Sequence, residues 1–91
     1  MRKHGKVDIT QAAIVKALRA IGVQVAVTSA LGGGFPDLVW AWRGHTGLLE
    51  VKTGKEPLTA AEREFHAKWP ADIPIVTTPE DAQRAVIGSV K

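Results

Sequence analysis

The chain has 91 residues, of which 45% are hydrophobic, enough for one compact domain and too few for a second. Its 12 Lys and Arg against 9 Asp and Glu give a net charge of +3, which is compatible with a polyanionic partner. The lack of cysteine excludes disulfides and thiolate metal sites, and no apolar run reaches the roughly 20 residues of a bilayer span. We therefore expect residues 1–91 to form a single soluble, cytoplasmic domain.

The first residues, 1–7, are predicted to be a basic tail, which could reach phosphates or could simply be solvated. The first helix is predicted over residues 11–20, with an apolar stripe and Gly22 as its stop. Its N-cap is either Thr10 or Asp8, because both residue types cap helices well.

A half-buried strand is predicted over residues 23–28, where valines alternate with smaller or polar residues. The next segment, 29–35, contains three consecutive glycines and is predicted to be a loop. This loop leads directly into Pro36 and Asp37, which precede an apolar run.

The centre of the chain predicts a hairpin, with strands over residues 38–42 and 47–52 and a turn at Arg43-Gly44-His45. Side chains alternate along a strand, so Glu50 and Lys52 share one face while Leu49 and Val51 face the core. Pairing of the two strands brings Asp37 beside the end of the second strand, so two acids and a lysine converge.

The remainder of the chain predicts a helix, a short strand and a last helix. Thr59 is expected to cap a helix over residues 60–68, with Glu62 completing a capping box. A strand follows over residues 73–77, and Pro79 begins the last helix. The order αβββαβα favours an antiparallel meander of three strands, with the fourth strand parallel to the third.

Asp37, Glu50 and Lys52 also have ordinary structural interpretations. Aspartate after proline commonly bonds its own backbone in a turn, and Lys52 could be only an ion-pair partner of Glu50. Glu50 lies within an apolar strand, where a charge is costly unless it faces solvent or has a partner. Their joint position favours a site for a hard divalent cation, since such ions prefer carboxylate oxygens.

These residues resemble the PD-(D/E)xK nucleases, specifically the stand-alone VRR-NUC type. The resemblance rests on Pro36-Asp37, Glu50-Val51-Lys52, the preceding glycines and the following Leu58-Thr59, and it spans roughly residues 9–82. It implies an α/β fold with a restriction-endonuclease-like αβββαβ core, in which helices flank a mixed sheet. The C-terminal helix is an addition to that core.

The resemblance also implies an activity, namely Mg²⁺- or Mn²⁺-dependent hydrolysis of DNA phosphodiester bonds. Asp37, Glu50 and the backbone carbonyl of Val51 would hold the ion. Lys52 would position the attacking water or offset charge on the phosphate. The expected substrate is branched DNA such as a four-way (Holliday) junction, the expected assembly a homodimer and the expected setting a bacterial or phage-infected cell.

One departure from the family pattern concerns the first helix, where relatives supply a glutamate ahead of a glutamine resembling Gln11. Asp8 is the acid in that region, and it could replace the glutamate or serve only as a helix cap. Gln11 is a further catalytic candidate, although a helical glutamine is often merely solvated. No histidine is assigned a role, because the three lie far apart in the sequence.

Further candidates concern binding surfaces. Nucleic-acid contacts are expected from backbone N–H groups of Ser29, Gly33 and Gly34 and from the Lys55 side chain. The glycine run could equally be a flexible loop, and a turn lysine is usually only solvated. The apolar contact of a dimer is expected from Trp40, Trp42 or a last-helix set of Ala82, Val86 and Val90. For the tryptophans, packing in the core or between subunits is favoured over stacking on bases. Two alternatives to a nuclease stay open: a nucleic-acid-binding module that does not cut, and an interaction subunit of a repair or replication complex.

Overall fold

The computed structural model describes the backbone of residues 5–90 and the side chains of residues 9–90. Seven elements follow one another in this part of the chain: α1 (Gly5–Ala20), β1 (Gln24–Val27), β2 (Leu38–Trp42), β3 (His45–Val51), α2 (Ala60–Lys68), β4 (Ile75–Val76) and α3 (Pro79–Val90). The predicted order αβββαβα is confirmed. None of these helices is long and apolar enough to cross a membrane.

The four strands form one mixed sheet in the order β1-β2-β3-β4. Antiparallel pairing joins β1 to β2 and β2 to β3, while β3 and β4 are parallel. The hairpin between β2 and β3 turns through Arg43 and Gly44, both at positive φ, so that Trp42 pairs with His45. Positive φ at both turn residues matches the right-handed twist of the strands. The predicted α/β fold class is therefore confirmed.

The core lies on the face of the sheet covered by α1 and α3. Strand β3 contributes Leu49 and Val51, which pack with Ile14 and Leu18 of α1 and Val86 of α3. The intervening side chains of β3 are directed to the opposite face. That opposite face is where Glu50 and Lys52 contact residues of α2.

Several predicted boundaries were wrong. Helix α1 begins at Gly5, so Thr10 and Asp8 lie within it and neither is its N-cap. No proline or other strong breaker precedes Thr10, and the helix continues upstream because β-branched and small polar residues are only weakly unfavourable inside a helix. The predicted tail overlaps this helix from Gly5 onward, and residues 1–4 lie outside the described part of the chain.

Strand boundaries also shifted. The β2–β3 turn is two residues rather than three, which starts β3 at His45. Strand β4 is limited to two residues, and Pro74 immediately before it has no N–H for a sheet ladder. By contrast, α2 has the predicted bounds, and Thr59 and Glu62 form the predicted capping box.

Candidate active site

Asp37 lies at the entrance to β2 and is fixed by its backbone and its side chain. The Thr28 N–H donates to the Asp37 carbonyl at 2.7 Å, and the Thr28 hydroxyl donates to the Pro36 carbonyl at 2.8 Å. The loop between β1 and β2 is thus closed at its base. The Asp37 carboxylate accepts the Val51 N–H through Oδ2 at 2.8 Å, which joins the two halves of the sequence motif.

Glu50 is a buried charged residue on the face of the sheet that meets α2, with 1% of its surface exposed. Its Oε1 lies 3.2 Å from Nε2 of His66, whereas its buried Oε2 has no hydrogen-bond partner among the described residues. Burial above all, then interaction with Asp37 and the charge of Glu62, raise the Glu50 pKa to about 9 despite the nearby Lys52. Two neighbouring carboxylates in such a setting repel each other, so the site favours binding either a proton or a cation.

Lys52 faces the same side of the sheet as Glu50, as predicted. Its Nζ lies 2.7 Å from Oε1 of Glu62 on α2. Burial alone would lower the Lys52 pKa, but the hydrogen bond and charge of Glu62, together with Glu50 and Asp37, outweigh burial and raise it. Lys52 is therefore a cation at neutral pH, which suits offsetting negative charge better than accepting a proton.

The Val51 peptide lies at the edge of β3 that faces Asp37. The N–H groups of Glu50 and Lys52 donate to the β4 side, at Pro74 and Val76. Because successive peptide groups of a strand point to opposite sides, the N–H and carbonyl of Val51 lie toward the β2 side. The backbone oxygen expected to serve as a ligand is thus on the same edge as the Asp37 carboxylate.

The oxygen atoms of Asp37, Glu50 and the Val51 carbonyl fit a hard divalent ion whose remaining ligands are water. Within residues 9–90, no group of three or more His, Cys, Asp or Glu side chains is arranged to hold a metal. Mg²⁺ is commonly bound through only one or two carboxylates, with water filling its remaining positions. Asp37 beside a buried Glu50 whose Oε2 lacks a partner is consistent with such a site.

Gln11, the helix-one candidate whose side chain is described, is not joined to the cluster formed by Asp37, Glu50 and Lys52. Gln11 lines a separate cavity of about 490 Å³ with Val27, Lys16 and Arg19, between α1 and β1. None of the hydrogen bonds or ion pairs formed by the described side chains links Gln11 to Asp37, Glu50 or Lys52. The Asp8 side chain lies outside the described residues, so its expected role as a ligand stays a prediction.

The expected DNA-contacting residues lie in the segments that flank the cluster. Ser29 and Gly33 are exposed in the loop before Asp37, and Lys55 is exposed in the turn after Lys52. Gly34 has a packing reason of its own, since at φ +82° it lies against the first turn of α2 and a Cβ would overlap the Ala61 carbonyl. Contact of these residues with DNA stays a prediction.

Two residues of the cluster, Glu62 and His66, were missed as site residues. Glu62 is accounted for in the sequence by its capping box, and His66 is distant in sequence from the other histidines. Their spacing of four places them on one face of α2. The sequence carries no signal that this face meets Glu50 and Lys52.

Part of the expected dimer surface is not available. Trp40, Ala82 and Val86 belong to the buried core of the chain, so they cannot supply an intermolecular contact. Their faces are covered because α3 packs on the same side of the sheet as α1. Trp42 and Val90 are partly buried against that core. Trp69 is exposed and its ring stacks on Phe65.

The sheet carries Asp37 at the entrance to β2 and the Glu50-Val51-Lys52 sequence at the end of β3, with three helices around the four strands. The chain is similar to a solved structure described as a VRR_NUC domain, with a TM-score of 0.68 and 24% sequence identity. The match covers 90% of this chain and 95% of that chain. The protein therefore has the VRR_NUC fold, as its motif predicted. No family model and no curated protein matches its sequence.

Proposed function

We propose that the protein is a divalent-metal-dependent endonuclease that hydrolyses DNA phosphodiester bonds. The observation that carries the proposal is the convergence of Asp37, the buried Glu50 and Lys52 at one end of the sheet. Carboxylates paired with a cation suit hydrolysis of a phosphate ester, in which negative charge is neutralised on both the attacking and the leaving side. The likeness of the fold to a VRR_NUC domain supports the same conclusion.

In the proposed mechanism, Asp37, Glu50 and the Val51 carbonyl hold Mg²⁺ or Mn²⁺. A bound ion of this type supplies Lewis acidity toward a phosphate oxygen and lowers the pKa of water. Water adds to phosphorus and gives up a proton to solvent, the bond to the leaving oxygen breaks in line, and that oxygen takes up a proton from solvent. Lys52, kept protonated beside Glu62, offsets the charge that builds up on the phosphate.

We further propose a branched substrate, such as a four-way junction, and a homodimeric enzyme. A specific DNA interface commonly buries about 1,000 Å² or more of protein, which is roughly a fifth of the 5611 Å² surface of this chain. Two copies related by a two-fold axis would enlarge that surface and present two sites to two strands. Ile75 on the edge strand and Ile87 on α3 are exposed apolar residues available for pairing.

The experiment is a cleavage assay with labelled four-way junction, flap and linear duplex. Each DNA is incubated with Mg²⁺, Mn²⁺ or EDTA, beside Asp37→Ala and Lys52→Ala variants. We expect metal-dependent cutting by the wild-type protein, fastest on the junction, and its loss in both variants. Binding without cutting would favour a binding module, while neither binding nor cutting would favour an interaction subunit. Cutting that survives both substitutions would contradict the site.

A further inference from the structure

Helix α2 contacts both charged members of the Glu-x-Lys pair through two residues one turn apart. Glu62 Oε1 lies 2.7 Å from Lys52 Nζ, and His66 Nε2 lies 3.2 Å from Glu50 Oε1. Residues four apart in a helix are separated by about 6 Å along its axis, and residues two apart in a strand by about 6.7 Å. The two repeats match, so one helix face can engage both strand residues at once.

The two contacts differ from an ordinary surface ion pair on the same helix. Glu62 and His66 side chains are 18% and 16% exposed, and their partners Lys52 and Glu50 are 12% and 1% exposed. Glu64 also pairs with a lysine four residues later, but both of those side chains are exposed. Pairs shielded from water hold their geometry better than exposed pairs, which contribute little. The face of α2 that carries Glu62 and His66 therefore meets Lys52 and Glu50 largely out of contact with solvent.

The position of α2 is itself tied to the site at its N-terminus. The Glu62 oxygen that contacts Lys52 also accepts the Thr59 N–H at 2.8 Å, which closes the capping box. The loop that precedes Asp37 packs on this first turn through Gly34 and on Phe65 through Phe35, whose rings meet edge to face. A shift of α2 would thus be transmitted to the surroundings of Asp37 as well as to Glu50 and Lys52.

We propose that Glu62 and His66 are positioning residues of the cleavage site, with Glu62 orienting the Lys52 ammonium and His66 orienting the Glu50 carboxylate. An Nε2–H donor on His66 occupies Glu50 Oε1 and leaves Oε2 as the oxygen that meets the metal ion. The inference rests on the proposed nuclease function and adds two residues to it, which act through Lys52 and Glu50.

The first test measures metal affinity without DNA, by following the signal of unbound Mn²⁺ in a spin-resonance titration. When a metal-binding side chain loses a hydrogen bond from a neighbouring residue, metal affinity typically falls about 10–100-fold. We expect a fall of this size in Mn²⁺ affinity for His66→Ala. His66→Gln should bind nearly as well as wild type, because its amide N–H can reach Glu50. His45→Gln, a change at an exposed strand position, is the matched control and should be unchanged.

The second test measures single-turnover cleavage at saturating Mn²⁺ and DNA. Glu62→Ala should slow cleavage while leaving Mn²⁺ affinity nearly unchanged, because its partner is Lys52 rather than a ligand. Glu62→Gln should recover much of the rate, since glutamine at this helix position can still accept from Thr59 and Lys52. Glu64→Gln, two residues away on the exposed face, should cleave like the wild-type protein.

Thermal unfolding of every variant accompanies both tests. A His66→Ala protein that binds Mn²⁺ as tightly as wild type, or a Glu62→Ala protein that cleaves at the wild-type rate, would overturn the inference while the nuclease stands. Losses that disappear at a lower temperature, where each variant is fully folded, would also overturn it. A wild-type protein that binds Mn²⁺ but cuts no DNA would instead contradict the proposed function. The Mn²⁺ titration of His66→Ala would still test the role of His66, because it does not depend on cleavage.

Discussion

The Asp37 carboxylate accepts the Val51 backbone N–H at 2.8 Å, so an acid at the start of β2 satisfies a peptide group at the end of β3. The two residues are 14 apart in sequence. This bond brings both halves of the motif to one point and fixes one Asp37 oxygen, while the other carboxylate oxygen is left for the metal ion that we propose.

The bond predicts different effects for two substitutions of Asp37. Asp37→Ala leaves the Val51 N–H without its acceptor and should destabilise the protein by about 1–3 kcal/mol. Asp37→Asn keeps an acceptor oxygen, so it should retain most of the stability while losing the charge needed for metal binding. Urea unfolding of the metal-free proteins measures the difference, with Asp72→Asn, at an exposed position, as control. Equal stability of the alanine and asparagine variants would contradict the structural role of the bond.

Glu50 predicts a dependence of stability on pH in the metal-free protein. Its pKa is raised from 4.5 to about 9 in the folded state, chiefly by burial, so the folded state binds this proton more tightly than the unfolded chain. The contribution is fully present below about pH 4.5 and is lost as the pH rises toward about 9. We expect the melting temperature of the wild-type protein to fall across this interval relative to Glu50→Gln.

The same series of melting temperatures, repeated with Mn²⁺, distinguishes the effect of the Glu50 proton from that of a bound cation. Because a divalent ion favours the ionised carboxylate, Mn²⁺ should raise the melting temperature most at the alkaline end of the interval, and much less in Glu50→Gln. Parallel pH profiles for wild type and Glu50→Gln, with and without Mn²⁺, would argue against a buried ligand carboxylate at this position.

Two neighbouring glycines before Asp37 should respond differently to alanine. Gly33 and Gly34 both have positive φ, but a Cβ at Gly33 meets open space whereas one at Gly34 would overlap the Ala61 carbonyl. Gly33→Ala should therefore lower the free energy of unfolding only by the roughly 1–2 kcal/mol that a left-handed backbone costs a residue with a Cβ. Gly34→Ala should lower the free energy of unfolding by more than this. It should also slow cleavage, because the loop that carries Asp37 must move away from α2. Denaturant midpoints and cleavage rates check this order, and its reversal would exclude close packing at Gly34.

The parts of the fold that follow from local patterns could be predicted. Alternation along β3 correctly placed Leu49 and Val51 in the core and put Glu50 and Lys52 on one face. The capping box at Thr59 and Glu62 correctly fixed the start of α2. The start of α1 was not predictable in this way, because Thr10 and Asp8 are equally good cap residues and no breaker precedes them.

Contacts between distant segments could not be read from the sequence. His66 reaches Glu50 across 16 residues and Glu62 reaches Lys52 across 10, and both depend on how α2 packs on the sheet. Glu62 already had a local explanation in its capping box, which concealed its second contact. Trp40 was likewise ambiguous in the sequence, as a core residue or a dimer contact. Its burial depends on α1 and α3 both packing on its side of the sheet.

The measurement that tests the central claim most directly is the single-turnover rate of junction cleavage at saturating Mn²⁺ for wild type, Glu50→Gln and Lys52→Met. Removal of a group that stabilises developing charge commonly lowers kcat by about 10²–10³-fold, and we expect a loss of at least that size in each variant. Glu64→Gln should retain the wild-type rate. Cleavage by Glu50→Gln and Lys52→Met at the wild-type rate, or cleavage undiminished in EDTA, would contradict the account.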